Sequence, residues 1–403
     1  MAVNPIVVLK FGGSVLEDAE SVERVCRVVT ETINGGRRVV VVVSAMKGMT
    51  DQLLALMGRV GEDVEPSLLD EVLAVGERIA ARQVHSVLQK KGVRSVVVEP
   101  GTDYWPIITD ANHQDANPLM KPTRVEVRRK ILPLLKKGIV PVVCGFIGVT
   151  KEGRITTLGR GGSDTTAVVL GSSLNAEEVI LIKDVDGVYS SDPDVIERPV
   201  LIERLEASEA EMLASSGAKF LHSKALRYMS PELRIRVTNL DNMDAGTIIQ
   251  GDIPELEVSV GKDRVKMLTV ILNDGNYQAA ASEIGDIISR GGGRIIAMAH
   301  LENAVIAYCS GREDAEKELH TLLVSSGKAK AITSFNDITM ITVRGKSLET
   351  RPGLIQRISQ PLARKNINIY GMITIFSSVR LFVSHSRSGE AAMLIREALG
   401  VRG

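Results

Sequence analysis

From residue 5 to about residue 250, short runs of valine and isoleucine alternate with longer segments of helical periodicity. Because the runs are continuous and lack alternating polar residues, they are typical of strands buried on both faces of a parallel sheet. The pattern predicts a doubly wound α/β domain, an open and mainly parallel sheet covered by helices. We expect strands at residues 6–9, 39–43, 96–98, 139–143 and 179–182, and helices at residues 19–32, 68–91, 122–137 and 164–174.

The last third of the chain carries an internal repeat. Met267-Leu-Thr-Val270 recurs as Met340-Ile-Thr-Val343, and a helix, two short strands and a second helix follow each copy. This order predicts two ferredoxin-like βαββαβ units. The helices are expected at residues 277–290, 313–325, 352–365 and 388–399, and the domains at residues 1–250, 263–332 and 333–403.

The second copy of the repeat ends at its second helix, so its closing strand is either missing or supplied from elsewhere. One solution is that residues 328–335 serve the second unit, with strands interleaved between the two units.

The composition argues against several classes of partner. The 403 residues contain 49 basic and 49 acidic side chains and 3% aromatic residues, which disfavours nucleic acid and anionic membranes. Cys26, Cys144 and Cys309 match no metal or redox spacing, so we expect buried free thiols in a reducing compartment. No run approaches the ~20 apolar residues of a membrane span, and the first residues do not resemble a signal peptide. We therefore expect a cytoplasmic protein.

A glycine-rich turn that carries a lysine follows the first strand. Lys10 precedes Gly12, Gly13 and Ser14, and glycines let backbone N–H groups approach a phosphate. A purely structural turn is the alternative, although a lysine at a buried strand end favours a ligand.

The fifth strand runs into a turn with both charge signs. Lys183 and Asp184 precede an Asp-Gly turn, Tyr189 and Asp192-Pro193. The acidic groups are suited to a ribose or a nucleotide-associated Mg²⁺, and the tyrosine to packing on a base. Asp-Gly and Asp-Pro are also ordinary turn formers.

The segment 155-ITTLGRGGSDTTAVVLG-171 concentrates candidate ligands at a helix start. Arg160 can bind a carboxylate through two hydrogen bonds, and backbone N–H groups at the helix start attract anions. Ser163 or Asp164 acting only as the N-cap is the alternative, but that explains neither Arg160 nor the glycines around it, which are Gly159, Gly161 and Gly162.

Two further segments hold polar candidates. Ser44 ends a strand, and Thr50 or Asp51 is either a ligand or the cap of the next helix. Gly76 and Glu77 interrupt an apolar helical pattern, where a glycine costs about 1 kcal/mol relative to alanine and so admits a neighbour or a ligand. A solvated glutamate is the alternative.

Lys219 and His222 follow a turn of small residues. We interpret His222 as structural and Lys219 as a second phosphate-directed charge. The chain has no GxSxG, HExxH, CxxC or early GxGxxG motif, so nucleophilic, metalloprotease and dinucleotide-redox chemistries are disfavoured. No metal site is expected from the protein's own ligands. Lysines and an aspartate at glycine turns favour phosphoryl transfer.

The whole chain resembles the amino acid kinase family and, within it, the aspartate kinases. The matching motifs occur in order: KFGGS at 10–14, VVSAMKGMTD at 42–51, VGE at 75–77, GFIG at 145–148, TLGRGGSDTTA at 157–167, KDVDGVYSSDP at 183–193, SGAKFLH at 216–222 and AGTII at 245–249. The resemblance implies ATP-dependent phosphorylation of the aspartate side chain with Mg²⁺, the first step of lysine, threonine and methionine biosynthesis. It also implies C-terminal ACT units that bind a regulatory amino acid, and paired units with exposed edges suggest a homodimer or higher homo-oligomer.

The resemblance also implies a role for each matching residue. Lys10 and Lys219 would neutralise the transferring phosphoryl group, with Asp164 orienting both lysines. The amino-acid acceptor would be bound by Ser44, Thr50, Glu77, Arg160, Gly161, Gly162 and Ser163. Gly12, Gly13 and Ser14 would cradle phosphate, and the rest of the ATP site would be lined by Lys183, Asp184, Tyr189, Asp192 and Pro193.

The chain departs from the family's usual pattern at Lys183, where threonine is more common, and in its KFGGSVL motif. Two alternatives to aspartate phosphorylation follow. One is an enzyme of the same fold with another amino acid or small carboxylate as acceptor. The other is a catalytically silent amino-acid sensor, which is disfavoured because Lys10, Asp164 and Lys219 are all present.

Overall fold

The computed structural model describes residues 4–61, 63–273, 275–311, 315–346, 348 and 352–401. These residues form two compact units, of which the first ends at Ile253 and the second begins at Pro254. Among the described helices, none combines the length and the apolar character that crossing a membrane requires.

The first unit is built around an eight-stranded sheet. Its helices are α1 (Ala19–Asn34), α2 (Met49–Gly58), α3 (Pro66–Lys90), α4 (Met120–Lys136), α5 (Gly162–Leu174), α6 (Ala207–Ser215) and α7 (Ser223–Leu226). Its strands are β1 (Ile6–Phe11), β2 (Arg38–Val43), β3 (Ser95–Val98), β4 (Val140–Cys144), β5 (Ile147–Val149), β6 (Ile155–Thr157), β7 (Glu178–Lys183), β8 (Val188–Tyr189), β9 (Leu201–Ile202), β10 (Arg204–Glu206), β11 (Arg234–Asn239) and β12 (Thr247–Gln250).

The sheet has the strand order β10-β12-β11-β7-β1-β2-β4-β3. All neighbouring strands from β11 to β3 run parallel, and β12 is antiparallel to β11. The predicted open, mainly parallel sheet is therefore confirmed. The runs are continuous because helices cover both faces, so that β1 is buried along its whole length.

The helices of this unit differ in how much of their surface is buried, and α2 has no buried residue. In α1, Val22, Val25, Cys26 and Val29 form the buried stripe, and the Asp18 carboxylate caps the helix by accepting a 2.8 Å hydrogen bond from the Ser21 N–H. Helix α5 is buried on every side. Cys26, Cys144 and Cys309 are buried free thiols, as expected.

The second unit contains helices α8 (Tyr277–Arg290), α9 (Ala315–Leu319), α10 (Leu354–Arg364) and α11 (Ser388–Leu399). Its strands are β13 (Glu257–Val260), β14 (Val265–Leu272), β15 (Arg294–Leu301), β16 (Ala304–Ser310), β17 (Ala329–Arg344), β18 (Ile369–Ile375) and β19 (Ser378–Ser384). Residues 313–314 of the helix expected at 313–325 lie outside the described residues, and α9 continues into a π-helical turn, His320–Val324.

The long strand β17 belongs to both ferredoxin-like units. Its first half pairs with β14, from Ala329 against Leu272 to Phe335 against Met267, and its second half pairs with β19. Residues 329–335 therefore close the first unit. The suggestion that residues 328–335 serve the second unit is wrong. The predicted boundary between residues 332 and 333 falls inside this shared strand.

The closing strand of the second unit is β13, which precedes the first unit in the chain. It pairs antiparallel with the second half of β17, Glu257 against Arg344 and Val260 against Ile341. Val258 is 5% exposed and belongs to the same apolar core as α10 and α11. The first unit is thus inserted within the second, and residues 257–260, which sequence reasoning treated as a boundary segment, form part of the fold.

Candidate active site

A cavity of about 620 Å³ opens at the carboxyl ends of β1, β2 and β7, where open α/β sheets bind ligands. Seven different segments of the first unit line it, so chain regions far apart in sequence meet there. The lining includes these residues singled out from the sequence: Lys10, Ser44, Thr50, Glu77, Arg160, Gly161, Gly162, Ser163, Asp164 and Lys183.

The buried Lys10 and Asp164 and the partly buried Lys183 form an ion-pair cluster on one wall of the cavity. The Asp164 carboxylate lies between two ammonium groups, with Oδ1 2.7 Å from Lys10 Nζ and Oδ2 2.9 Å from Lys183 Nζ. Burial would raise the pKa of Asp164, but the two lysines outweigh it and hold the pKa well below the usual range. Burial lowers the pKa of Lys10, and the Asp164 charge opposes this effect. Asp164 therefore remains an anion and does not serve as a general base.

Glu77 lies on the α3 side of the cavity and is 3% exposed. Its Oε1 accepts a 3.1 Å hydrogen bond from the Ala45 N–H, whereas Oε2 is buried without a hydrogen-bond partner. Burial raises the pKa of Glu77 to about 7. The preceding Gly76 admits the β2–α2 loop, since a Cβ there would lie 2.7 Å from the Ala45 Cβ. Glu77 is thus a buried acid with an open position for a cationic ligand, and not a solvated helix-face residue.

The turn between β6 and α5 presents two kinds of group. The N-cap of α5 is Gly161 at φ +67°, a left-handed conformation that glycine adopts without strain. Ser163 and Asp164 therefore lie in the first turn of the helix, both buried, and neither caps it. Arg160 is exposed at the cavity, and its guanidinium makes no ion pair or hydrogen bond within the described residues. It is available to a carboxylate ligand.

The β2–α2 loop also contributes to the lining. Helix α2 begins after Gly48, so Thr50 lies inside the first turn and is not the cap that one interpretation suggested. Thr50 and Ser44 are half-buried and line the cavity.

Asp70 is a buried site residue that the sequence reasoning missed. It is 0% exposed and accepts hydrogen bonds from the Gln114 N–H at 3.1 Å and the Thr157 hydroxyl at 2.5 Å. His113 Nδ1 lies 2.6 Å from its Oδ2. Because Gln114 and Thr157 line the cavity, Asp70 holds its wall in place. An available signal was its position two helical turns before Glu77, on the same face of α3.

Lys224 is a second missed residue of this kind. Its ammonium group is buried and lies 2.6 Å from Asp115 Oδ1, and it also donates to the carbonyls of Ala116 and Leu158. These contacts join α7 to the loop that carries Gln114 and to the strand that leads into Arg160.

Lys219 is not brought to the cavity. It is exposed in the turn before α7, and the lysine that shares Asp164 with Lys10 is Lys183. Asp164 therefore contacts Lys10, as the expected orienting role requires, but it does not contact Lys219. His222 is structural, as interpreted, because it caps α7 by accepting a hydrogen bond from the Lys224 N–H.

The remaining residues expected at a nucleotide site do not line the cavity. The Gly12 N–H donates to the Ile182 carbonyl at 3.0 Å, and Gly13–Val15 form a 3-10 turn. Ser14 lines a smaller neighbouring cavity of about 220 Å³. Asp184, Asp192 and Pro193 are exposed, and the half-buried Tyr189 donates its hydroxyl proton to Asp186 at 2.8 Å.

Metal ligands do not cluster in the described part of the chain. No group of three or more histidine, cysteine, aspartate or glutamate side chains meets there in a way that could hold an ion. A metal bound chiefly through nucleotide phosphates needs only one or two protein carboxylates.

Comparisons with known proteins identify the family of the chain. The family model described as the amino acid kinase family matches residues 5–239. An aspartate kinase of Stutzerimonas stutzeri is 31% identical over 384 residues, which is 90% of each chain. An aspartate kinase structure from Synechocystis has a TM-score of 0.77 at 24% identity and covers 98% of this chain and 70% of that one. E. coli aspartokinase III, solved with aspartate and ADP, has a TM-score of 0.57 at 21% identity over 98% of this chain and 100% of that chain.

Proposed function

The chain belongs to the amino acid kinase family and, within it, to the aspartate kinases, and on this basis we propose how its cavity works. It transfers the γ-phosphoryl group of ATP to the side-chain carboxylate of L-aspartate, which yields 4-phospho-L-aspartate and ADP. This is the reaction that opens lysine, threonine and methionine biosynthesis. One observation supports this assignment most strongly. Glu77 and Arg160, which suit an amino-acid acceptor, line the same cavity as Lys10 and Lys183, which suit a phosphoryl group.

The acceptor half recognises an amino acid by its two opposite charges. The free guanidinium of Arg160 binds a carboxylate of aspartate, and the unpartnered Oε2 of Glu77 receives the ammonium group. Ser44, Thr50 and Ser163 supply hydroxyl groups around the acceptor, and Gly161 and Gly162 leave room for it at the start of α5. A neutral or purely anionic acceptor would leave Glu77 without a partner.

The transfer itself needs positive charge more than it needs a base. An aspartate carboxylate is already ionised at neutral pH, so its oxygen attacks the γ-phosphorus without losing a proton. The bond from the γ-phosphorus to the bridging oxygen breaks, and ADP leaves with the electron pair. Charge on the transferring oxygens is stabilised by Lys10, which Asp164 holds in place.

ATP and Mg²⁺ complete the site. The nucleotide occupies the turns beside the cavity, with Gly12, Gly13 and Ser14 next to its phosphates. Tyr189, Asp192 and Pro193 lie along the rest of the nucleotide. Mg²⁺, which neutralises phosphate charge when bound, has Asp184 at the end of β7 as a suitable carboxylate.

The C-terminal units provide regulation by an amino acid. A cavity of about 370 Å³ in the second ferredoxin-like unit is lined by Gly353, Thr374 and Ser378, among others, and has the size for such an effector. Among the described strands, β15 pairs with β16 alone, so a second copy of the chain has an edge to which it can bind.

A coupled assay of ADP release with a panel of acceptors tests the function. We expect ADP with L-aspartate and little with D-aspartate, L-glutamate, L-asparagine or succinate, which lacks the ammonium group. ADP release with another acceptor but not with L-aspartate would contradict the assignment of aspartate as the substrate. No ADP release with any acceptor would overturn the kinase assignment.

A further inference from the structure

We propose that Lys183 is a second phosphoryl-directed lysine, which acts beside Lys10 on the transferring group. The inference rests on the proposed kinase function and adds a catalytic residue to it. The family resemblance implies a nucleotide-binding role for Lys183 and assigns this second charge to Lys219.

The strand register brings Lys183 and Lys10 to the same face of the sheet. Lys10 of β1 lies opposite Leu181 of the parallel strand β7. Side chains alternate along a strand, so Leu181 and Lys183 project to the same side. The two lysines therefore leave neighbouring strands on one face, where α5 places Asp164 between their ammonium groups.

The cluster has two ammonium groups and one carboxylate, and all three side chains are largely buried. The side chains of Lys10, Asp164 and Lys183 are 7%, 5% and 16% exposed. One carboxylate balances one ammonium group, and burying a second ammonium group costs several kcal/mol unless another anion pairs with it. Both lysines line the cavity, so an anion bound there can supply the missing negative charge.

The other acids near the two lysines do not supply that charge. Asp51 on the cavity wall is exposed and forms no ion pair with either lysine. The exposed Asp184 also forms no ion pair with them and raises the pKa of Lys10 less than Asp164 does. Glu77 makes its one hydrogen bond to a backbone N–H and forms no ion pair with either lysine. Burial raises its pKa to about 7, so it is only partly ionised at neutral pH. A transferring phosphoryl group, with negative charge on three oxygens, fits the surplus left by the two lysines.

The test compares variants of Lys183 in the full-length protein. Lys183→Met removes the charge at similar length, and Lys183→Arg keeps it. We expect Lys183→Met to lower kcat with aspartate by about 10²-fold, since removing one such group typically costs 10²–10³-fold. We expect Lys183→Arg to retain more of the turnover than Lys183→Met. If Lys183→Met fails to fold, Lys183→Gln takes its place with the same expected loss.

A binding measurement separates catalysis from a structural role. ADP with aluminium fluoride and aspartate mimics the transferring phosphoryl group. The affinity of Lys183→Met for this mimic should fall by about the same factor as its kcat. The affinity for ADP alone and the melting temperature should change little. Equal losses for ADP and the mimic, or a kcat within threefold of the wild type, would overturn the role of Lys183.

Two further outcomes distinguish this inference from the function on which it depends. If the wild-type protein is active and Lys183→Met is equally active, the catalytic role of Lys183 is rejected and the kinase function is retained. A wild-type protein that releases no ADP with any acceptor would reject both. Lys219→Met serves as the comparison, and a larger loss there than in Lys183→Met would return the second charge to Lys219.

Discussion

The ammonium group of Lys10 lies 2.7 Å from the Asp164 carboxylate, and both side chains are more than nine-tenths buried. Lys10→Met should lower kcat by about 10²–10³-fold, because a preorganised charge on the transferring oxygens is lost. The fold should persist, since Asp164 keeps its ion pair with Lys183 and no buried charge is left alone. Steady-state kinetics and thermal unfolding check both statements.

Lys136→Met is the matched control for Lys10→Met. Lys136 is an exposed lysine at the end of α4 and does not line the cavity. Its variant should keep wild-type kcat. If Lys10→Met turned over at the wild-type rate, the assigned role of Lys10 would be refuted.

Arg160→Ala should raise the KM for aspartate by about 10-fold or more, because a charged hydrogen bond to the acceptor is typically worth 1.5–3 kcal/mol. The KM for ATP and the melting temperature should change little, since Arg160 is exposed and makes no ion pair within the described residues. Arg154→Ala, in the exposed turn between β5 and β6, is the control and should leave both constants unchanged. If the KM for ATP rose and the KM for aspartate did not, Arg160 would be a nucleotide ligand and not an acceptor ligand.

Glu77 makes the acceptor site sensitive to pH. Burial raises its pKa to about 7, so protonation removes the charge that attracts the ammonium group of aspartate. The KM for aspartate should therefore rise as pH falls through about 7, and Glu77→Gln should have a high KM with little such dependence. A pH profile of KM for the two proteins checks this, and the same profile in both would contradict the role of Glu77.

The same shift in the pKa of Glu77 has a cost in stability. The folded protein binds more protons than the unfolded chain between pH 4.5 and about 7, so Glu77 lowers stability as pH rises through that range. At pH 8, Glu77→Gln should raise the free energy of unfolding by about 1–3 kcal/mol. Urea unfolding at pH 8 measures this difference, and a less stable variant would show that ionised Glu77 is not a strained group.

Asp70→Ala should weaken both folding and acceptor binding. It removes the common acceptor of the Gln114 N–H and the Thr157 hydroxyl, and leaves the buried Thr157 hydroxyl unpaired. The expected loss in unfolding free energy is about 2–4 kcal/mol. Asp70→Asn keeps one acceptor oxygen and should lose less. If Asp70→Ala had the wild-type stability and KM for aspartate, Asp70 would not hold the cavity wall.

The architecture of the first unit could be predicted because its signals are local. A strand such as β2 is buried on both faces and has to be continuously apolar, and α1 shows its buried stripe directly. The candidate residues of the cavity were also found locally, because Arg160 and Asp164 belong to one glycine-rich turn.

The sequence does not predict contacts that depend on which strands become neighbours. Lys183 reaches Asp164 because β7 lies beside β1, and no local pattern gives that order. Strand β13 is four residues long and pairs with β17 across the whole inserted unit, so the predicted domain bounds leave it between two domains. Thr50 was assigned as a possible cap because Gly48, which takes that place at φ +75°, has no side chain to suggest the role.

The central claim is that this cavity phosphorylates the side-chain carboxylate of L-aspartate, and the product tests it most directly. An acyl phosphate formed in the presence of hydroxylamine is converted into a hydroxamate, which mass spectrometry identifies. With ATP, Mg²⁺ and L-aspartate, we predict β-aspartyl hydroxamate in an amount equal to the ADP released. ADP release without this hydroxamate, or a hydroxamate formed from another amino acid but not from L-aspartate, would contradict the account.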